Sequence, residues 1–382
     1  MEVERRQHES YEWKIQTLLG CCGLWIETNL TVKLTLAYFV FSCNFLMGLA
    51  VLNFCVQHAS NIIILTKGMS LAISMFTACV KIVIFLRYQG DMEYLHKNLT
   101  AKYFEDMKDA KNRPHLLSRI ALYVKFFWIC CGTVFSVAVL YIIIPIIAFV
   151  KHGKYMRMFP TIYPLVGKPT GLAHWCCFVL EVLTSLFLSS VTAGVDCCFG
   201  MYSFQMCGEL RVLASKFQSL AAAPDYKERV KDCIVRHQML YNTKKKLENL
   251  FGIITIWFAI TASISLCAII FQLSQSKNVS LFQIFFTVDY ITAKLLQAYT
   301  FAWFGNTITV ESEKCVQSIY HCDWPGSGDS RLMKDMLIVQ LQSPMYINAM
   351  GVMIVRLDMF IKIAHASISY FFLLKTIEEK LA

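Results

Sequence analysis

The sequence predicts an all-α, polytopic membrane protein with seven transmembrane helices. Three observations carry that prediction. First, only 16% of the 382 residues are charged and 56% are hydrophobic, with a mean hydropathy of +0.50, whereas soluble domains carry roughly 25% charged residues. Second, apolar runs long enough to cross a hydrocarbon layer of about 30 Å recur along nearly the whole chain. Third, Lys and Arg are partitioned between alternate connecting segments, which is how membrane orientation is written in sequence. The net charge of +10 is therefore read as topology. No basic stripe interleaved with aromatics accompanies it, so no nucleic-acid partner is expected.

Residues 1–33 lack the positive-then-apolar pattern of a cleavable signal peptide, so the first span is expected to direct insertion. Trp13, Ile15, Leu18, Leu19, Leu24, Trp25 and Ile26 suggest a short amphipathic helix at the membrane surface. Span one is placed at about Leu34–Val56 and span two at about Ile62–Leu86, joined by a short uncharged connection. Residues 87–119 are polar and read as a helical extension beyond the membrane. Span three covers about Ile120–Val150, with a kink or stop expected at Pro145. Residues 151–171, rich in Pro and Gly, are loop. Span four, about Leu172–Met206, is long enough to project past the bilayer. Residues 207–250 are charged with helical apolar spacing at Val230, Ile234 and Leu240. Span five is about Phe251–Leu273 and span six about Leu281–Asn306. A break at His321–Ser330 precedes an amphipathic helix near Arg331–Gln342. The final span is placed at about Met345–Leu374, its first half interrupted by Arg356, Asp358, Lys362 and His365. Charges at membrane depth face a wet cavity or a partner helix, so this helix is a candidate pore wall.

With the N-terminus cytoplasmic, the inner segments hold 23 Lys and Arg and the outer ones at most 5. The C-terminus is then extracellular, inverted relative to G-protein-coupled receptors. The sequon at Asn278 falls outside and is open to glycosylation, while those at Asn29 and Asn98 fall inside. The chain divides into a cytoplasmic segment 1–33, helices one to six with their cytoplasmic extensions at 34–306, a cytoplasmic segment with the short helix at 307–344, and the final helix and tail at 345–382.

Enzyme and metal chemistry find no motif. Many of the 16 cysteines lie in apolar runs, and the adjacent pairs Cys21-Cys22, Cys176-Cys177 and Cys197-Cys198 fit no zinc spacing. No disulfide framework, metal or cofactor is expected. The nine histidines are scattered, and no HExxH or nucleotide-binding glycine pattern occurs. A transporter is disfavoured because no internal repeat is visible.

The run from Tyr320 to Leu374 resembles the insect odorant receptor family, in Trp324, Arg331, Gln342, Pro344, Leu357, Phe360, Ser369, Tyr370 and Phe371. That motif covers about the last sixty residues, and the inverted seven-span organisation matches along the whole chain. Two departures concern local packing. Ala349 is followed by Met350 where the family often has Gly, and Arg356 stands where many members have Ser. Insect gustatory receptors, the alternative chemosensory reading, close differently from Ser369-Tyr370. The odorant co-receptor carries a long insertion after span four, but here Cys207–Leu250 is short.

The resemblance implies an odorant-binding, ligand-tuning subunit of a ligand-gated, non-selective cation channel. Its partners would be the co-receptor in a heterotetramer, a small volatile ligand, membrane lipids and permeant cations. It would sit in the plasma membrane of olfactory neuron dendrites. The final helices would line the pore, and the inner ends of spans four to six with the short helix would anchor the subunits. The family's ligand pocket lies among the outer halves of spans two to six. Candidates there are Met69, Ile73 and Phe76; Phe135 and Val139; Trp175, Phe178 and Glu181; and Phe286, Asp289 and Tyr290. Glu181 and Asp289 either accept a hydrogen bond from the ligand or belong to structural pairs, Asp289 with Lys294 or Lys81. The family's gate follows the Tyr-Phe pair, which points to Ser369, Leu373, Thr376 and Ile377. Leu373 and Ile377 would form a hydrophobic constriction, with Glu378 and Glu379 at the outer mouth. The same residues would otherwise pack on spans five and six.

Overall fold

A computed structural model of the chain describes residues 2–26, 29–59, 62–153, 155–163, 171–219, 226–275, 281–320 and 330–381. In chain order the elements are α1 (Glu2–Gly20), α2 (Leu30–Gln57), α3 (Ile62–Arg87), α4 (Gln89–Tyr94), a π-helical turn (Leu95–Thr100), α5 (Ala101–Met107), α6 (Arg113–Leu117), α7 (Ile120–His152), α8 (Leu172–Gln218), α9 (Tyr226–Gln275), α10 (Leu281–Tyr320), α11 (Ser330–Gln340), strands β1 (Asn348–Ala349) and β2 (Met353–Ile354), and α12 (Leu357–Leu381). The seven spans are α2, α3, α7, α8, α9, α10 and α12. Among the described residues, the first five of these are long and apolar enough to cross a membrane on composition alone. α10 and α12 are more polar, carrying Asp289 and Lys294, and Asp358 and Lys362.

Three spanning helices run far beyond the bilayer. α8 has 47 residues, α9 has 50 and α10 has 40. At 1.5 Å per residue these are rods of about 60–75 Å. The first part of the charged stretch after span four thus prolongs α8, and its residues 226–250 are one continuous helix with span five. α7 does not stop at Pro145. It continues to His152 and ends on Gly153, whose N–H donates to the Phe149 carbonyl at 2.9 Å.

α8 is the axis. Every residue from Ala193 to Leu210 is buried, a pattern expected only of a helix surrounded on all sides. Its buried polar side chains must then find partners on the helices around it. Asp196 accepts from Lys81 on α3 at 2.6 Å. Gln205 accepts from Thr100, the last residue of the π-helical turn, at 2.9 Å. Glu209 accepts from Arg236 on α9 at 3.0 Å, and Arg236 also pairs with Asp106 on α5 at 2.5 Å. Burial pushes the Glu209 carboxyl well above the usual carboxylate range, with Arg236 opposing the shift.

The apolar face of α1 is turned into the protein, against α8 and α7, rather than left for lipid. Tyr11, Ile15 and Leu19 are buried, and the Tyr11 hydroxyl donates to the Cys197 carbonyl at 3.2 Å. His8 lies in this contact as a neutral aromatic. It stacks on Tyr103 with centroids 4.9 Å apart, and among the described residues neither ring nitrogen has a hydrogen-bond partner. Burial lowers its pKa from 6.5 to about 4. Above pH 6.5 the ring is neutral both folded and unfolded. Between about 6.5 and 4 only the unfolded chain takes up the proton, so stability falls with acidification by up to roughly 3 kcal/mol. His8→Phe should keep the stack and flatten that limb, measured as the thermal midpoint of detergent-solubilised protein from pH 7 to pH 4.5. An unchanged acid limb would refute the assignment.

The expected helical start of the last span is overturned. Residues Met345–Arg356 form a β-hairpin, Asn348 opposite Ile354 and Ala349 opposite Met353, and α12 begins only at Leu357. The cause lies in the turn. Met350 and Gly351 have φ of 50° and 75°, the left-handed backbone of a tight hairpin turn, which a continuing helix excludes. The hairpin is fixed from two sides. The Asn348 N–H donates to Glu248 of α9 at 2.7 Å, and the Met345 N–H donates to Ser312 of α10 at 2.7 Å. Gly305 of α10 lies so close to the Val355 carbonyl that a Cβ there would clash with it.

Candidate functional site

Between α3, α7, α8 and α10 lies a cavity of about 90 Å³. Each helix contributes one periodic face: Leu71, Ser74 and Thr77 from α3; Val134, Val137, Ala138 and Tyr141 from α7; Ser185, Leu188, Ser189 and Thr192 from α8; Tyr290, Ala293, Lys294 and Gln297 from α10. Spacings of three and four bring such residues onto a single helix face. In an apolar helix, small and hydroxylated residues at that spacing leave room as well as hydrogen-bonding groups.

The floor is a buried polar layer. Asp196 takes the Lys81 ammonium on one oxygen and the Gln297 amide on the other. Lys81 is fully buried. Gln297 therefore both lines the cavity and holds the ion pair. On the α3 side the Tyr290 hydroxyl lies 3.0 Å from Ser74 Oγ, and the Trp257 indole N–H donates to Thr77 at 3.1 Å.

The roof comes from the connection between α7 and α8. Phe159 lines the cavity and meets Tyr141 edge-on, with centroids 5.4 Å apart. That loop is held down by Glu181 of α8. Its carboxylate accepts from the Met158 N–H at 3.0 Å, Tyr163 OH at 3.1 Å and Thr161 Oγ1 at 3.2 Å. Around this latch Met47, Val51, Met75, Phe159 and Phe178 form a second apolar cluster.

Of the sequence-derived candidates, Tyr290 lines the cavity. Phe178 and Phe76 belong to the cluster forming the roof or pack against it. Glu181 pins the loop. Trp175 meets Phe149 edge-on at 5.1 Å. Phe135 packs against the main core, while Met69 and Val139 are exposed on the isolated chain. Ile73, on α3, supplies the carbonyl that Thr77 bonds at 2.7 Å. Asp289 accepts from Ser136 at 3.0 Å, and Lys81 is committed to Asp196, so the pairing of Asp289 with Lys81 does not form. The side chain of Phe286 lies outside those described, as do those of Ile377, Glu378 and Glu379. The Asn278 sequon also falls outside the described residues.

Sequence reasoning passed over Ser185, Ser189 and Thr192, and weighed Lys294 only as a structural partner. The available signal was a hydroxyl stripe at helical spacing in span four. On α12, Ser369, Leu373 and Thr376 are all exposed, Leu373 at 57%. Among the described residues no cluster of His, Cys, Asp and Glu has the arrangement of a metal site.

Comparisons with known proteins agree with this architecture. Odorant receptor 13a of Drosophila melanogaster is 23% identical over 235 residues, which is 56% of this chain and 56% of that protein. The odorant receptor coreceptor of the same species is 25% identical over 146 residues, 38% of this chain and 30% of that one. The matched region thus spans little more than half the length of the first of these relatives and under a third of the second. The insect olfactory receptor OR5 from Machilis hrabei, solved in complex with eugenol, superposes with a TM-score of 0.83 over 98% of this chain and 99% of that one, at 14% identity. At that identity the likeness speaks for the fold. The family model described as 7tm Odorant receptor matches residues 61–368, and the chain belongs to that family.

Proposed function

We propose that the chain is a chemoreceptor subunit that binds a small odorant in the cavity between α3, α7, α8 and α10 and is tuned by it. The observation that carries this reading is the cavity itself, a space among four spanning helices that combines apolar surface with hydroxyl, amide and ammonium groups able to orient a small molecule. Coupled to it, the subunit acts in a ligand-gated, non-selective cation channel with the odorant co-receptor, in the plasma membrane of olfactory neuron dendrites. The short segment after span four argues for the tuning role. The inner ends of α8, α9 and α10, with α11, would form the anchor between subunits. Leu337 and Ile338 of α11 are exposed apolar residues that suit such a contact.

The test is expression with and without the co-receptor, recording current across an odorant panel. Current evoked only with both subunits supports the proposal. Solute uptake without current overturns it. In the same assembly α12 would line the pore, with Leu373 at a dewetting constriction. Leu373→Ser should raise basal current several-fold with surface expression unchanged. An unaltered leak would remove Leu373 from the constriction.

A further inference from the structure

One of the ammonium groups at the cavity has no direct partner among the described residues. Three ionic groups meet at its floor, Lys81, Asp196 and Lys294. The Asp196 carboxylate is already taken by Lys81 at 2.6 Å and by the Gln297 amide. Lys294 lines the cavity, yet among the described residues it makes no hydrogen bond or ion pair. Its recorded neighbours are the Tyr290 ring, 5.6 Å away, and the field of Asp196. Asp289, five residues earlier on α10, lies about 140° around the helix and takes Ser136 instead. Glu181 is occupied by the loop. A half-buried ammonium without a direct partner among the described residues favours a counter-ion. Across the cavity, α8 presents Ser185 and Ser189, both buried, and Thr192. None of these hydroxyls has a partner among the described residues, although all three residues line the space.

One ammonium facing several free hydroxyl donors is the complement of a carboxylate. We propose that the cavity takes a small carboxylic acid, bound as its carboxylate by Lys294, with Ser185, Ser189 and Thr192 donating from the opposite wall. The size follows from the volume. A cavity of about 150 Å³ accommodates benzene, so about 90 Å³ suits a ligand of about four to six heavy atoms. This deepens the odorant-pocket reading and rests on it. It makes Lys294 the specificity-determining residue, with amines disfavoured by charge.

Binding separates this inference from the channel reading. Membranes carrying the chain with the co-receptor, or the co-receptor alone, are titrated with radiolabelled propanoate, competed by butanone and by propylamine. Saturable propanoate binding that needs this chain is expected. Lys294→Gln and Lys294→Met should weaken it at least ten-fold, Lys294→Arg by much less, and Ser189→Ala by two- to five-fold. An unchanged thermal midpoint of each solubilised variant would show that the fold is intact. Propanoate binding unchanged in Lys294→Met, or stronger competition by propylamine than by butanone, overturns the proposal. Propanoate binding without evoked current supports it and instead sinks the channel reading. Current evoked by butanone without propanoate binding does the reverse.

Discussion

Lys81→Met is expected to destabilise the protein by about 3–5 kcal/mol, because removing one partner of a buried ion pair leaves the other charge uncompensated. Lys81 and Asp196 are 2.6 Å apart with side-chain exposures of 1% and 6%. Methionine fills much the same space, so the loss reports the orphaned Asp196 carboxylate and not a void. Asp196→Leu alone should cost a similar amount by stranding the ammonium. The double variant Lys81→Met with Asp196→Leu should recover most of the loss, since apolar replacement of a buried pair is often neutral or stabilising. The thermal midpoint of the solubilised protein is the readout. Additive losses in the double variant would show that the two groups do not act as a pair. Because Gln297 joins the pair to the cavity, ligand binding should shift in the single variants as well.

The second large effect is expected at the cytoplasmic end. Arg236 is the cation shared by Asp106 and Glu209, at 2.5 Å and 3.0 Å. Lys102 also reaches Asp106, at 3.7 Å, from the same side of α5. Arg236→Met should therefore strand Glu209 most severely, again at a cost of about 3–5 kcal/mol. The deficit has a pH signature. Burial already raises the Glu209 pKa, and removing the guanidinium raises it further, so acid restores a neutral carboxyl. The gap between the variant and the parent protein should be small below about pH 8, where the carboxyl is neutral in both, and widen above it, where only the parent's carboxyl ionises. A gap that stays constant or widens with acid would contradict this assignment. Glu209→Gln in the Arg236→Met background should recover part of the loss.

The helices were legible because hydropathy and charge act locally along the chain. Span lengths, orientation and the extensions past the bilayer all follow from where Arg, Lys and Glu fall relative to apolar runs. The hairpin at 345–356 was not legible. Val352, Ile354 and Val355 continue the hydropathy of a span, and only Met350-Gly351 betrays a turn. The pocket was half legible for another reason. Aromatic residues and intramembrane acids stand out in a sequence, so Phe178 and Glu181 were singled out, but they build the roof and its latch. Much of the cavity wall is serine, threonine and alanine, which mark absence of bulk and draw no attention in an apolar helix. Lys294 was visible as an intramembrane charge, but the pairing of Asp196 with Lys81 depends on helix rotation, which no local pattern encodes.

The hairpin has a mechanical consequence. It clamps the inner end of α12 to α9 and α10, and the described buried side chains of α12 are Met359, Ile363 and Ser367. From Ile368 to Tyr370 the helix is exposed, as are Phe372 and Leu373. Within one chain α12 is a cantilever, fixed at its root and unsupported near its tip. The deflection of such a beam is set by what presses on its free end, and the lever arm turns a small rotation at the root into a larger displacement at Leu373.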